Sequence, residues 1–302
     1  MVLVPFDDRD GEIWMDGVMV PWRDAKLHVL SHGLHYASGV FEGERAYAGN
    51  IFKLRDHTNR LINSGRILGF EIPYTADEID AACIAVVAAN GLTDAYVRPL
   101  AWRGSEQLSV SAQQTRIHLA IATWPWPNLF GDDRMKGVRL GMAPWKRPHP
   151  ETAPTASKAA GLYMIGTLSK HSAEAAGYDD ALMLDWRGRV SEATGANIFF
   201  AIDGALHTPT PDCFLDGITR RTVMALANQH QLQVVDRVIE LDEIAAATEV
   251  FLVGTAAEVT PVREIDGRYY TPGPITEALL KSYDALVRMG PVEVERKTPL
   301  AA

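Results

Sequence analysis

Cysteine is scarce in this chain of 302 residues: there are two, Cys83 and Cys213. They stand far apart and in no metal-ligand spacing, which argues against a disulfide framework and against a zinc site. Long apolar runs are missing too, and none approaches the roughly 18 residues that a membrane span needs. Positive charge is in deficit, with 29 Lys and Arg against 38 Asp and Glu and a formal net charge of −9. That deficit disfavours nucleic acid or an anionic membrane as the main partner, while leaving room for a local basic pocket that takes a small anion. The opening "MVLVPFDDRDGE" turns acidic after a short apolar start. It lacks the basic region and long apolar core of a secretion signal, so a cytoplasmic location is expected. Internal repeats and low-complexity stretches are absent as well.

What is present describes a globular enzyme-sized chain. Hydrophobic residues make up 47% and charged residues 22%, a balance that excludes disorder, and the length allows two packed cores. Asp16-Gly17 between two apolar runs in "EIWMDGVMVPW" predicts a tight hairpin. "GNIFKL" predicts a short strand, and "RDHTNRLINSGRILGF" a helix capped near Asp56. Residues 76–90 have helical periodicity and stop at Gly91. "AYVRPLAWRG" and "RIHLAIATW" read as strands. "WPWPNLFGDDRMKG", with its prolines, glycines and acidic pair, is the best interdomain connection. Beyond it come hairpins turning near Gly188 and at Asp203-Gly204, then the helix "GITRRTVMALANQHQ". The strands "LQVVDRVI" and "EVFLVGTA" follow, then a helix over 274–288 and a loose tail from Pro291. Strands and helices mix without strict alternation, which predicts an α+β fold. The expected division is a smaller N-terminal domain over 1–123, a connecting loop over 124–136 and a larger C-terminal domain over 137–302.

One lysine, Lys158 in "TASKAAGLY", sits among small residues ahead of Tyr163. Lysine is the usual residue for imine chemistry, because a neutral amine attacks an aldehyde. The usual aldehyde cofactor, pyridoxal phosphate, needs a phosphate cradle, an acid at its ring nitrogen and a donor at its phenolic oxygen. Gly217, Ile218 and Thr219 in "FLDGITRRT" open a predicted helix, where free N–H groups and the dipole attract an anion. Asp216 or Thr219 acting only as a helix cap explains that stretch equally well. "FLVGTAAEVTP" ends a buried strand in Gly254-Thr255-Ala256, which also exposes N–H groups. Glu192 in "GRVSEATGAN" stands beside a small-residue loop, where it pairs with a ring nitrogen or is simply a surface glutamate. Tyr163 bonds the phenolic oxygen or is a core tyrosine with a satisfied hydroxyl.

Taken in chain order, "DAKLHVLSHGLHYASGVFEGERAY", "HTNRL", "AYVRPL", "TASKAAGLY", "SEATGANIFF", "DGITR" and "GTAAEVTPV" resemble the branched-chain amino acid aminotransferases. These are fold type IV pyridoxal-phosphate enzymes (aminotransferase class IV, D-amino acid aminotransferase-like). The resemblance runs from about residue 12 to about 288. It implies that Lys158 is the Schiff-base lysine and the base that moves the substrate Cα proton. It implies phosphate contacts from Arg60, Ile218, Thr219 and Thr255, a ring-nitrogen partner in Glu192 and a phenolic-oxygen donor in Tyr163. Thr255 and Ala256 would offer N–H groups to the substrate α-carboxylate. Tyr96 matches the α-carboxylate side, and Arg98 the reader of glutamate's distal carboxylate. Apolar walls from Phe41, Trp126 and Val110 would let one pocket accept leucine-like side chains as well. Tyr36 would reach a neighbouring subunit's pocket, which implies a homodimer at minimum.

The implied activity is transfer of the amino group of L-leucine, L-isoleucine or L-valine to 2-oxoglutarate by a ping-pong cycle, a step of branched-chain amino acid biosynthesis. The alternative is another activity on the same scaffold: a D-amino acid or (R)-amine transaminase, or an aminodeoxychorismate lyase. Three departures from the family pattern bear on substrate range. Leu129 stands where many relatives have tyrosine, "GSEQLSVSA" replaces a Gly-Asp-x-x-Met-Gly pattern, and Glu44 stands where an apolar residue is common.

Overall fold

The computed structural model describes residues 4–126 and 131–289, so Leu129 and the tail from Pro291 lie outside the described residues. The first sheet is formed by β1 (Glu12–Met15), β2 (Val18–Pro21), β3 (Gly39–Phe41), β4 (Glu44–Tyr47), β5 (Asn50–Ile51), β6 (Ala95–Arg103) and β7 (Ile117–Pro125). Its strands run in the order β2-β1-β7-β6-β4-β5, with β3 also paired to β6. Asp16 and Gly17 have φ of 51° and 99°, the left-handed turn that matches strand twist and closes the β1–β2 hairpin. The short α1 (His32–Tyr36) precedes β3. Two longer helices, α2 (Leu54–Ile67) and α3 (Ala76–Ala89), pack on the sheet through Leu61, Ile79, Val86, Val97 and Ile121. A reciprocal Thr75–Glu78 capping box opens α3. The start of α2 differs from expectation: Lys53, with φ 51°, precedes Leu54, and Asp56 lies in the first turn instead of capping. Its charge still favours the positive end of the helix dipole. "GNIFKL" pairs only at Asn50–Ile51, because the chain then turns into α2.

The second sheet has β8 (Val138–Met142), β9 (Asp180–Leu184), β10 (Val190–Ala193), β11 (Asn197–Ile202), β12 (Ala205–Pro209), β13 (Val234–Arg237), β14 (Glu249–Gly254), β15 (Glu258–Ile265) and β16 (Arg268–Tyr269). Its order is β10-β9-β8-β15-β14-β11-β12-β13, with β16 on β15. Parallel pairs (β8–β9, β8–β15, β12–β13) mix with antiparallel ones. With α4 (Met164–Ala175), α5 (Ile218–Gln229) and α6 (Pro274–Arg288), this is the α+β fold that the unalternated order of elements predicts. Along β11, Ile198 and Phe200 enter one core with Leu252 and Val262, while Phe199 enters another with Phe251, Leu279 and Tyr283. Both faces are covered, so "NIFFAI" is a continuous apolar run with no alternation. No described helix is long and apolar enough to cross a membrane.

The sheets meet at a seam of buried charge. Tyr47 Oη donates to Glu258 Oε1 and Arg134 Nη2 donates to Glu258 Oε2, each at 2.7 Å, and the Arg45 guanidinium lies 3.4 Å from the same carboxylate. Tyr47 and Arg45 come from β4, Arg134 from the segment between the sheets. Glu258 itself is held at φ 52°, a conformation that surrounding contacts must maintain in a non-glycine residue. The turn just before it, residues 255–257, is thereby fixed between the two halves.

Glu44 on β4 has no such match. It is fully buried, and neither carboxyl oxygen meets hydrogen-bond geometry with any group among the described residues, the adjoining Cys83 thiol included. Burial pushes its carboxyl well above the usual range, and the charges of Glu42 and Asp80 push in the same direction. A raised folded pKa contributes stability in full below the ordinary carboxyl range, and that contribution is lost as pH rises toward the folded value. Glu44→Leu removes the titration. Thermal melts should show this variant gaining on the parent between about pH 5 and about pH 8, reaching about 1–3 kcal/mol at the upper end. An equal loss of stability at both pH values contradicts this account.

Candidate active site

A cavity opens where the two sheets meet, and Lys158 stands in its wall. Its backbone is bound to the first half of the chain. Lys158 N–H donates to Ser64 Oγ at 3.0 Å, Phe41 N–H donates to Lys158 O at 3.1 Å, and Ala159 forms an antiparallel bridge with Val40. Ser157 Oγ adds a bond to Ser64 O at 3.1 Å. With the main chain so held, Lys158 Nζ reaches Tyr163 Oη at 2.7 Å and lies 4.8 Å from the Phe41 ring centre. Tyr163 ends the short 3₁₀ turn Ala160–Tyr163, and its ring meets that of Phe41 edge-on at 4.7 Å.

Glu192, on β10, is buried in the same cavity. Asn197 Nδ2 donates to it at 3.2 Å, and Arg147 Nε lies 3.1 Å away as an ion pair without hydrogen-bond alignment. Arg147 Nη2 is engaged by the carbonyls of Thr194 and Ala193. Burial pushes the Glu192 carboxyl up to about 7, against the opposing pull of Arg147 and Lys158. A buried carboxylate with one long hydrogen bond retains acceptor capacity for a cationic N–H in the cavity.

A cradle for an anion adjoins. Helix α5 begins at Ile218 with Gly217 as its N-cap and no side-chain cap. Asp216, an alternative cap in the sequence, instead pairs with Arg220 at 2.9 Å. The free N–H groups of Ile218 and Thr219 therefore border the cavity, as does Thr255 at the end of β14. Gly217 is required here, since a Cβ would collide with Asn197 Oδ1. Arg60 of α2 supplies the cation, its Nε and Nη2 fixed to Glu42 at 2.6 and 2.8 Å. Burial works against ionisation of Glu42, but Arg60 and His57 outweigh it and hold the carboxyl well below its usual range.

On the other side, Tyr96 lines the cavity and Arg98 Nη2 donates to Tyr96 Oη at 3.0 Å. Both project from the same face of β6, two residues apart. The Arg98 guanidinium lies 4.7 Å from the Phe41 ring centre, and Trp126 lies 5.0 Å from the Tyr96 ring. A cation and apolar rings thus share one wall.

Of the residues singled out in the sequence, Lys158, Arg60, Tyr163, Glu192, Ile218, Thr219, Tyr96, Thr255 and Ala256 line this cavity. Phe41, Arg98 and Trp126 adjoin it through Tyr163 and Tyr96. Tyr36 and Val110 do not line it: they are 46% and 87% exposed. Val110, expected as an apolar wall, therefore does not wall the cavity formed by this chain's described residues. His32 stacks on Tyr36 at 4.6 Å and bonds Ser109 O at 2.8 Å, which ties the loop carrying Val110 to α1. Sequence reading missed Glu42, His57, Arg147 and Asn197. Glu42 and His57 lay inside quoted motifs, "FEGERAY" and "HTNRL"; Arg147 in "WKRPHP" carried no signal.

Comparison with known proteins agrees with this geometry. The family model for amino-transferase class IV matches residues 39–265. The chain is similar to the branched-chain-amino-acid aminotransferase of Pseudomonas aeruginosa, with 44% identity over 288 residues covering 93% of this chain and 94% of that one. It superposes on the branched-chain aminotransferase from the thermophilic archaeon Thermoproteus uzoniensis with norvaline at a TM-score of 0.89, 40% identity, 93% of this chain and 95% of the other. A structure of the T.th. branched-chain amino acid aminotransferase complexed with N-(5'-phosphopyridoxyl)-L-glutamate gives a TM-score of 0.89 at 39% identity, with the same coverage of 93% and 95%.

Arg147→Met leaves Glu192 buried without its counter-ion. Removing one partner of a buried pair costs about 3–5 kcal/mol. The Glu192 carboxyl then rises above about 7, so its neutral form persists to higher pH and the loss deepens as pH rises through that value. Denaturant unfolding should show a larger deficit at about pH 8 than at about pH 6. A deficit under about 1 kcal/mol at both contradicts the pairing.

Proposed function

The chain belongs to the amino-transferase class IV family and is a pyridoxal-phosphate-dependent transaminase, and we propose that it moves the amino group of L-leucine, L-isoleucine or L-valine to 2-oxoglutarate. The observation that carries this assignment is one cavity holding Lys158, Glu192 and the uncapped start of α5 together. The cofactor fits these residues on chemical grounds: an anion cradle with no side chain filling it, and an under-bonded buried carboxylate across from an amine. When bound, pyridoxal phosphate supplies an aldehyde carbon that carries the amino group and a ring that draws electrons from the substrate Cα.

Lys158 Nζ takes the proton from the substrate Cα, and Tyr163 Oη, 2.7 Å away, orients that amine. Glu192 would accept a hydrogen bond from the ring nitrogen of the bound cofactor and so favour its protonated form, with Arg147 favouring the ionised carboxylate. Arg60, Thr219, Thr255 and the first N–H groups of α5 hold the phosphate. The Tyr96 hydroxyl and the N–H groups of Thr255 and Ala256 bind the α-carboxylate. Phe41 and Trp126 accept branched aliphatic side chains, and Arg98 beside them accepts the distal carboxylate of glutamate. The substrate side of this arrangement suits the names of the relatives better than a D-amino acid or (R)-amine transaminase or a lyase does.

In this reading residues 1–123 form the smaller domain, 137–302 the larger cofactor-binding one, and 124–136 the loop between them. The protein works as a homodimer. Tyr36 and Val110 are exposed together beside His32, placed to complete a second copy's cavity. Two buried, unpaired cysteines accord with the reducing cytoplasm.

Lys158→Ala should abolish the borohydride-stable protein adduct, read by mass spectrometry; an adduct persisting elsewhere means that another lysine carries the cofactor. Arg98→Ala should lower kcat/KM for glutamate by about 1–3 kcal/mol of transition-state binding while leucine loses much less. Equal losses make Arg98 structural. Val110→Asp should shift the protein to monomers with little activity in light scattering and assay, and a fully active wild-type monomer overturns the shared site.

A further inference from the structure

Arg60 is not free to choose its direction. Glu42, on the bend between β3 and β4, is fully buried, and its own N–H donates to Pro99 O at 2.8 Å, which anchors it to β6. Its carboxylate accepts Arg60 Nε at 2.6 Å on one oxygen and Arg60 Nη2 at 2.8 Å on the other. His57, one helical turn before Arg60 and equally buried, occupies the second oxygen through Nδ1 at 2.7 Å. Burial favours neutral His57, so the carboxylate and guanidinium form a net-neutral unit next to the cavity. The fork takes one edge of the guanidinium plane, and the Nη1 edge carries no hydrogen bond to a described residue.

We propose that Glu42, steadied by His57, is the positioning residue that aims the free edge of Arg60 at the phosphate. The inference deepens the functional reading above and rests on its placing of the phosphate at Arg60. Charge and geometry make opposite demands here. By Coulomb's law alone a carboxylate near a dianion weakens its binding, and its removal would tighten the phosphate. If Glu42 acts by orientation, removal loosens the phosphate, because an untethered arginine samples many rotamers and a bidentate clamp fixes one. The sign of the effect therefore decides between the two.

The test uses the full-length chain freed of cofactor and titrated with pyridoxal phosphate or with pyridoxal, which lacks the phosphate. The ratio of the two dissociation constants cancels damage common to both ligands. Glu42→Gln keeps the volume but breaks the two-point clamp. It should reduce the preference for the phosphorylated form at least tenfold, and the same substitution in an Arg60→Ala background should leave the preference where it stands. An unchanged or increased preference in Glu42→Gln overturns the proposal. Should that variant not fold, His57→Asn removes one of the carboxylate's supports and should reduce the preference in the same direction; no reduction overturns the proposal. A parent protein that binds both ligands equally tightly refutes the phosphate placement itself, and the inference falls with it.

Discussion

The backbone of Lys158 is bonded to the half of the chain that lies far from it in sequence, and the rest of the site depends on that attachment. Ser64 accepts its N–H, Phe41 donates to its carbonyl, and Val40 bridges the next residue. A lysine side chain has long reach and many rotamers, so an amine that must meet one carbon benefits from a fixed root. The attachment also explains the small residues around it. Close approach of two backbones leaves little room beside Ala159, and a Cβ on Gly161 would press on Ala37. Lys158 is therefore a feature of the seam between two sheets, held by backbone bonds from residues 40–64.

Three carboxylates along the seam are each met by an arginine. Glu42 is met by Arg60, Glu192 by Arg147, and Glu258 by Arg134 and Arg45. These pairs are weak grounds for stability, since desolvation offsets most of the attraction. Their consequence is orientation. Arg60 is held in one orientation by the two-point clamp of Glu42, Glu192 keeps acceptor capacity in the cavity, and the turn of Thr255 is pinned through Glu258. Glu44 has no such partner among the described residues, and it lies beside Asp80 and Cys83 of α3.

Most elements were legible in the sequence because local signals agreed with the fold: Asp-Gly turns at 16–17 and 203–204, the stop at Gly91, the strand in "EVFLVGTA". The start of α2 was misplaced because Lys53 adopts a left-handed conformation that its side chain does not announce. Several residues that line the cavity stood out, Lys158 by the chemistry of its amine and Arg60 and Tyr96 through the motifs that resemble the family. Residues that act through another side chain did not. Arg147 lies 45 residues before the glutamate it serves, and Glu42 lies 18 before its arginine; such pairings exist only after folding. Val110, expected as a pocket wall, is exposed outside the cavity of this chain, a placement that sequence order does not reveal.

The central claim is that this cavity converts a bound aldehyde cofactor into its aminated form at the expense of a branched-chain L-amino acid. The visible spectrum of the purified protein, recorded before and after L-leucine with no oxo acid present, tests it most directly. The account predicts a yellow protein whose visible band falls on adding L-leucine while the shorter-wavelength band of the aminated cofactor grows. A yellow protein whose spectrum ignores L-leucine, L-isoleucine and L-valine contradicts the substrate assignment, and a colourless protein that pyridoxal phosphate cannot restore contradicts the site itself.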